Sequence, residues 1–184
     1  MRLFTGIDIP EDVVANLNRL LDLLRPTAHL KWTPPYNFHL TTKFIGAWPE
    51  DRLRELIDQL RPLGNRSAIG IGVEGVGWFP NARSPKILWT GIKAGPELAG
   101  LALDTDHVLS SMGIPKETKP FSPHLTLARV KDVVPLSRLR DEIAHLPSAE
   151  FGAFNADRFY LYESKTGPNG SIYSKLAEFP LIAA

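Results

Sequence analysis

Apolar and polar positions alternate from the first residues. Leu3, Thr5, Ile7 and Ile9 share one face of a strand predicted over 3–9. Pro10-Glu11-Asp12 then opens a helix, with proline in the first turn and acids at the positive end of the helix dipole. Val13, Val14, Leu17, Leu20, Leu21 and Leu24 follow at helical spacing, and Pro26 stops them. Leu30-Lys31-Trp32 is a short extended piece that Thr33-Pro34-Pro35 turns away. A strand over 38–44 comes next, ended by Gly46. Pro49-Glu50-Asp51 repeats the helix opening ahead of the stripe Leu53, Leu56, Ile57 and Leu60. Residues 67–79 alternate but carry Gly70, Gly72, Gly75 and Gly77, which predicts a long strand that is bent or bulged.

The second half repeats this order loosely. A strand over 86–92 precedes a helix opened by Pro96-Glu97, with Leu98, Leu101, Leu103, Val108, Leu109 and Met112 available for burial and Gly113 behind it. A basic, proline-bounded loop over 116–123 leads into a strand over 124–130. A helix falls within 133–146, one or two strands within 150–162, and a return strand over 171–179 after the turn Gly167-Pro168-Asn169-Gly170. The expected fold class is α+β: a bilobal, pseudo-twofold arrangement of two antiparallel sheets with outer helices flanking a central cleft. One domain of two interleaved lobes is expected over 1–184.

Two of these strands carry the same triplet. Phe38-His39-Leu40-Thr41-Thr42-Lys43-Phe44 and Pro123-His124-Leu125-Thr126-Leu127-Ala128-Arg129 each contain His-Leu-Thr. Only five histidines are present, and Leu-Thr follows a given residue roughly once in a hundred or less on average usage. On a strand, residues i and i+2 share a face, so each motif presents one imidazole and one hydroxyl together. Two such strands across a cleft would offer two imidazoles to donate and accept protons, and two hydroxyls for phosphate oxygens. His39, His124, Thr41 and Thr126 are therefore the candidate catalytic set. Lys43 shares parity with His39, so it is expected to face the cleft. Arg129 falls on the opposite parity from His124, and reaches the cleft only through a bulge or a strand end. Phe4, Trp32 and Tyr173 are aromatics for stacking on a base or ribose.

Composition narrows the classes. The net charge of +1 and pI near 8.0 give no strong global field, unlike a non-specific duplex-DNA binder. With no cysteine, thiolate nucleophiles and cysteine metal sites are excluded. Neither a signal-peptide layout nor an apolar run of about 20 residues is present, so a cytoplasmic protein with no membrane association is expected. The Gly70–Gly77 stretch is no phosphate loop, because no Lys-Ser/Thr follows it and no helix opens behind it.

The chain resembles the RNA 2′,3′-cyclic phosphodiesterases of the two-histidine phosphoesterase superfamily, historically called 2′-5′ RNA ligases. The resemblance runs through Arg2-Leu3-Phe4, Asp8-Ile9-Pro10, Lys31-Trp32-Thr33-Pro34-Pro35 and both motifs. It continues in Trp78-Phe79-Pro80-Asn81, Leu88-Trp89, Leu161-Tyr162-Glu163-Ser164, Gly167-Pro168 and Tyr173. Thr42 departs from the aliphatic residue common in the family, on the face away from the chemistry. The resemblance implies an RNA end or nucleotide bearing a 2′,3′-cyclic phosphate as substrate, opened to a 2′-phosphate without metal or cofactor. It implies His39 as general acid on the departing 3′ oxygen and His124 as general base on water. Thr41 and Thr126 would donate to the non-bridging oxygens, with Arg129 near the phosphate. A monomer is expected.

Three other readings use the same residues. A zinc site is disfavoured because no acid stands two to four residues beyond either motif histidine. A non-catalytic RNA-end binder would favour arginine or lysine over paired histidines. A related enzyme on another cyclic or 2′-5′ nucleotide diester shares the catalytic set and differs only in the cleft walls.

Overall fold

The computed structural model describes residues 1–183. In chain order, β1 (Arg2–Asp8) leads to α1 (Glu11–Leu24), β2 (Lys31–Trp32), β3 (His39–Ala47) and α2 (Leu53–Leu60). β4 (Ile69–Phe79), β5 (Ile87–Ala94), α3 (Pro96–Ser110) and β6 (His124–Arg129) follow. The chain closes with α4 (Ser137–Ala144), β7 (Glu150–Ala156), β8 (Arg158–Gly167) and β9 (Gly170–Pro180). Two antiparallel sheets result, ordered β3-β1-β8-β9 and β2-β6-β5-β4-β7. Each holds one His-Leu-Thr strand.

The lobes are interleaved rather than consecutive. β4 and β5 come from the first half of the chain but build the second sheet, while β8 and β9 return to the first. The expected strand or pair over 150–162 divides at Asp157, where the chain passes from one sheet to the other. The helices cross as well. α1 leaves the first sheet and packs on β7 of the second, where Asn16 Nδ2 donates to the Phe151 carbonyl at 2.7 Å. α3 leaves the second sheet and packs on β3 of the first. Each sheet is thus backed by a helix that follows a strand of the other, so neither lobe completes its core alone.

The buried stripe of α1 is Val13, Leu17, Leu20, Leu21 and Leu24, with Val14 half-buried at its border. Each such side chain contributes roughly 2 kcal/mol by leaving water. Leu17→Ala would cost about 2–5 kcal/mol, since the site is fully enclosed. In α3 the buried positions are Leu98, Leu101, Ala102, Thr105 and Leu109. Leu103, expected inside, is 68% exposed because it lies off that i, i+3, i+4, i+7 stripe. Val108 and Met112 are only half-buried. Gly46 does not end β3; it sits within the strand at φ 81°, and pairing runs on to Ala47.

Candidate active site

Both motif strands bulge at the same place. In β3, Thr5 pairs with Lys43 and Gly6 with Thr41, so Thr42 has no opposite residue. In β6, Leu88 pairs with Ala128 and Trp89 with Thr126, so Leu127 is the unpaired residue. The extra residue lies three positions beyond the histidine in each case. A bulge puts two successive side chains on one face. Thr42 and Lys43 are accordingly both buried behind β3, and Leu127 and Ala128 both behind β6. The following residues return to the front: Phe44, 65% exposed, and Arg129, also exposed.

This local geometry decides two of the predicted positions. Arg129 is brought to the face of His124 and Thr126, and its charge reaches His39 on the other sheet. Lys43 is turned away from the cleft, contrary to the parity expectation. It is 3% exposed. Its Nζ lies 2.8 Å from Asp106 Oδ1 on α3, 3.2 Å from Glu117 Oε1 and 2.9 Å from the Pro115 carbonyl. Alternation breaks here because the bulge at Thr42 interrupts the pleat.

The histidines are held alike. His39 Nδ1 lies 2.8 Å from the Asn37 carbonyl, and His124 Nδ1 lies 2.8 Å from the Ser122 carbonyl. A carbonyl only accepts, so Nδ1 carries the proton in both rings. Each neutral ring therefore keeps its lone pair on Nε2, and each charged ring carries its second N–H there. The turns supplying these carbonyls are proline-stiffened: Pro34-Pro35 before Asn37, and Pro120 to Pro123 around Ser122.

The surroundings differ. His39 sits in an aromatic box, with ring centroids 4.7 Å from Phe4, 4.8 Å from Tyr173 and 6.0 Å from Tyr162. Burial in this box pushes its pKa below 6.5, opposed by the bond to Asn37 and by Asp8; Arg129 and His124 push it down further. His124 is met by Phe79, edge-on at 4.9 Å. β3 and β6 also touch, and the charge of His124 acts on His39 from the other sheet.

The aromatic candidates separate. Tyr173 flanks His39. Phe4 is buried and stacks on Tyr162 at 4.9 Å, so it forms the wall behind the imidazole rather than an open platform. Trp32 is not at the cleft: it pairs with buried Ala128, packs on the core and donates Nε1 to the Ala28 carbonyl at 3.2 Å. Phe79, Tyr162, Asp8 and Phe44 stood in the motifs and the resembling segments, but the sequence reading gave none of them a role at the site. Phe44 was findable, because it and Arg129 stand five residues past their histidines. Among the described residues no group of three or more His, Asp or Glu is placed to hold a metal ion.

A family described as LigT-like phosphoesterase matches residues 7–89 and 92–173, one stretch for each His-Leu-Thr strand. A protein of Methanocaldococcus jannaschii named RNA 2′,3′-cyclic phosphodiesterase is 32% identical over 182 residues, covering 97% of this chain and 100% of that one. Its namesake in Archaeoglobus fulgidus is 32% identical, covering 97% and 99%. A crystal structure of a Thermus thermophilus protein superimposes with a TM-score of 0.83 at 31% identity, covering 98% of both chains. Escherichia coli LigT, at 22% identity and a TM-score of 0.80, shares the fold.

Proposed function

The chain belongs to the LigT-like phosphoesterase family, and from that premise we propose that it opens RNA 2′,3′-cyclic phosphate ends to 2′-phosphates. The observation that carries this reading is the matched pair of rings, each tied through Nδ1 to the carbonyl two residues before it. That arrangement supports one proton donor and one acceptor on opposite sides of a phosphorus atom, as in-line displacement needs. The relatives named RNA 2′,3′-cyclic phosphodiesterase support the substrate.

Water attacks phosphorus and gives its proton to His124 Nε2. The bond to the 3′ oxygen breaks, and His39 Nε2–H protonates that oxygen. The product carries a 2′-phosphate and a free 3′-hydroxyl, and the rings have exchanged protonation states. Thr41 and Thr126 donate to the non-bridging oxygens, where charge grows in the transition state. Arg129 adds a cation on the same side. No metal enters these steps. A lowered pKa makes His39 a stronger proton donor, and the arriving phosphate anion favours its charged form. If the 5′-hydroxyl of a second RNA took the place of water, its oxygen would bond to phosphorus as the bond to the 3′ oxygen breaks, giving a 2′-5′ diester; the excess of water drives hydrolysis instead.

A short RNA ending in a 2′,3′-cyclic phosphate, incubated in excess EDTA, tests this. Formation of a 2′-phosphate, lost in His39→Ala and in His124→Ala, is the expected result. A 3′-phosphate, or turnover that survives both substitutions, would overturn it. An inert RNA end with turnover of a 2′-5′ diester would move the protein to the related activity.

A further inference from the structure

The front face of the first sheet continues past His39. A cavity of about 390 Å³ opens there, and its walls include Asp8, Tyr36, His39, Tyr162, Tyr173 and Lys175. Sites for organic ligands begin at roughly 300 Å³, so one nucleoside fits. His39 belongs to the cavity while His124 does not. The space therefore lies to the side of the reaction centre, beyond the proposed acid.

Its chemistry is that of a site for single-stranded nucleic acid. Tyr36 is 79% exposed, an aromatic ring held out at the rim. It rides on a braced turn, Pro35–Asn37, where Asn37 Nδ2 donates to the Ser171 carbonyl at 2.9 Å. Tyr173 presents a second ring. The Lys175 ammonium pairs with Asp8 and lies 4.4 Å from the centre of the Tyr160 ring. An exposed ion pair of this kind is weak, so an incoming phosphate can take over the cation. The Tyr162 hydroxyl is buried in the wall without a hydrogen-bond partner among the described residues. Burial keeps it protonated and so able to donate.

We propose that this cavity is a subsite for the nucleotide on the 5′ side of the reacting end, an inference that rests on the cyclic-phosphate reading. A cyclic phosphate closes the 3′ end, so the rest of the RNA leaves in the 5′ direction. The leaving 3′ oxygen faces His39, which puts the terminal ribose on that side of the cleft. The next stretch of surface is the cavity. Tyr36 and Tyr173 stack on the preceding base, and Lys175 meets the phosphodiester that links it to the terminal nucleoside. The preferred substrate is then an RNA chain rather than a free cyclic mononucleotide.

Three substrates resolve the parts: a nucleoside 2′,3′-cyclic phosphate, the same compound with a 5′-phosphate, and a dinucleotide ending in that cyclic phosphate. The reading is the ratio of kcat/KM values within each protein, so changes common to all three cancel. In the wild type the 5′-phosphate is expected to raise kcat/KM several-fold, and the added base by roughly ten-fold more, as for one stacked base. Lys175→Met is expected to abolish the first gain and Tyr36→Ala the second. Equal kcat/KM for all three substrates, or gains that survive both substitutions, would overturn the subsite. The matching 2′-phosphates, titrated calorimetrically, give the same ladder of affinities without turnover. If no cyclic phosphate is hydrolysed yet the ladder appears, the catalytic reading fails and the subsite stands; hydrolysis without the ladder has the opposite meaning.

Discussion

Phe44 and Arg129 occupy equivalent places, each five residues beyond its motif histidine and each returned to the front by a one-residue bulge. The framework is symmetric, but the two side chains are not. The His39 side carries an aromatic ring, 6.2 Å from Phe4 between centroids, and the His124 side carries a permanent cation. In the proposed mechanism this cation lies beside the phosphate and lowers the cost of binding an anion; its charge also disfavours charge on His39. Arg129→Met should therefore raise KM for the cyclic phosphate by about ten-fold, the scale of one charge-assisted contact. The same substitution should raise the His39 pKa. Steady-state kinetics and an NMR titration of the imidazole give the two readings; an unchanged KM would remove Arg129 from the phosphate.

His39 should titrate below 6.5 in the free protein, because its aromatic box strips water from the charged ring. Its protonated fraction falls as pH rises through that lowered value, so kcat/KM should decline on the alkaline side from below pH 6.5. Tyr173→Ala opens one side of the box to water and should move the midpoint back towards 6.5. The carbon-bound imidazole proton signals follow this directly. A midpoint at or above 6.5 in the wild type would show that the box does not desolvate the ring. The sign for stability is separate. A histidine pKa depressed by folding contributes stability above 6.5, which is lost as pH falls through the folded value.

Thr41→Val and Thr126→Val keep shape and remove a donor. If each hydroxyl stabilises charge that develops in the transition state, each substitution should lower kcat by roughly 10²-fold with little change in KM. A rise in KM at constant kcat would instead mean that the hydroxyls bind ground state and transition state equally.

Lys43→Met should act on the fold. It removes the cation that holds Asp106, Glu117 and the Pro115 carbonyl against β3. The carboxylates reach solvent in part, so the cost is below that of a fully buried pair, about 2 kcal/mol. Thermal unfolding should shift down accordingly. A variant of unchanged stability with weaker substrate affinity would return Lys43 to the binding site.

Gly77→Ala should disturb the second motif from beneath. A Cβ there would collide with the Trp89 ring, which lies over the glycine. Trp89 pairs with Thr126, and its ring centroid is 5.2 Å from that of Phe79, which packs on His124. Moving the indole should cost about 1–3 kcal/mol and lower kcat. Altered tryptophan fluorescence with a lower melting temperature is the expected signature; an unperturbed protein would mean that the indole is free to shift.

The residues alone determined the four catalytic candidates and the class of fold. The two His-Leu-Thr triplets are local patterns, and a period of two places imidazole and hydroxyl together whatever surrounds the strand. The amphipathic stripe of α1 and the turn at Gly167-Pro168-Asn169-Gly170 were legible for the same reason. Only the tertiary structure decided what lay past each motif. The bulges at Thr42 and Leu127 arise from pairing with β1 and β5, which no single strand records. They reversed the parity that sent Lys43 to the cleft, and they brought Arg129 to it. The split of 150–162 at Asp157 and the exchange of helices between the sheets likewise depend on partners far away in the chain. Trp32 went to the core and Tyr173 to His39, because an aromatic pattern does not reveal which ring its neighbours will enclose.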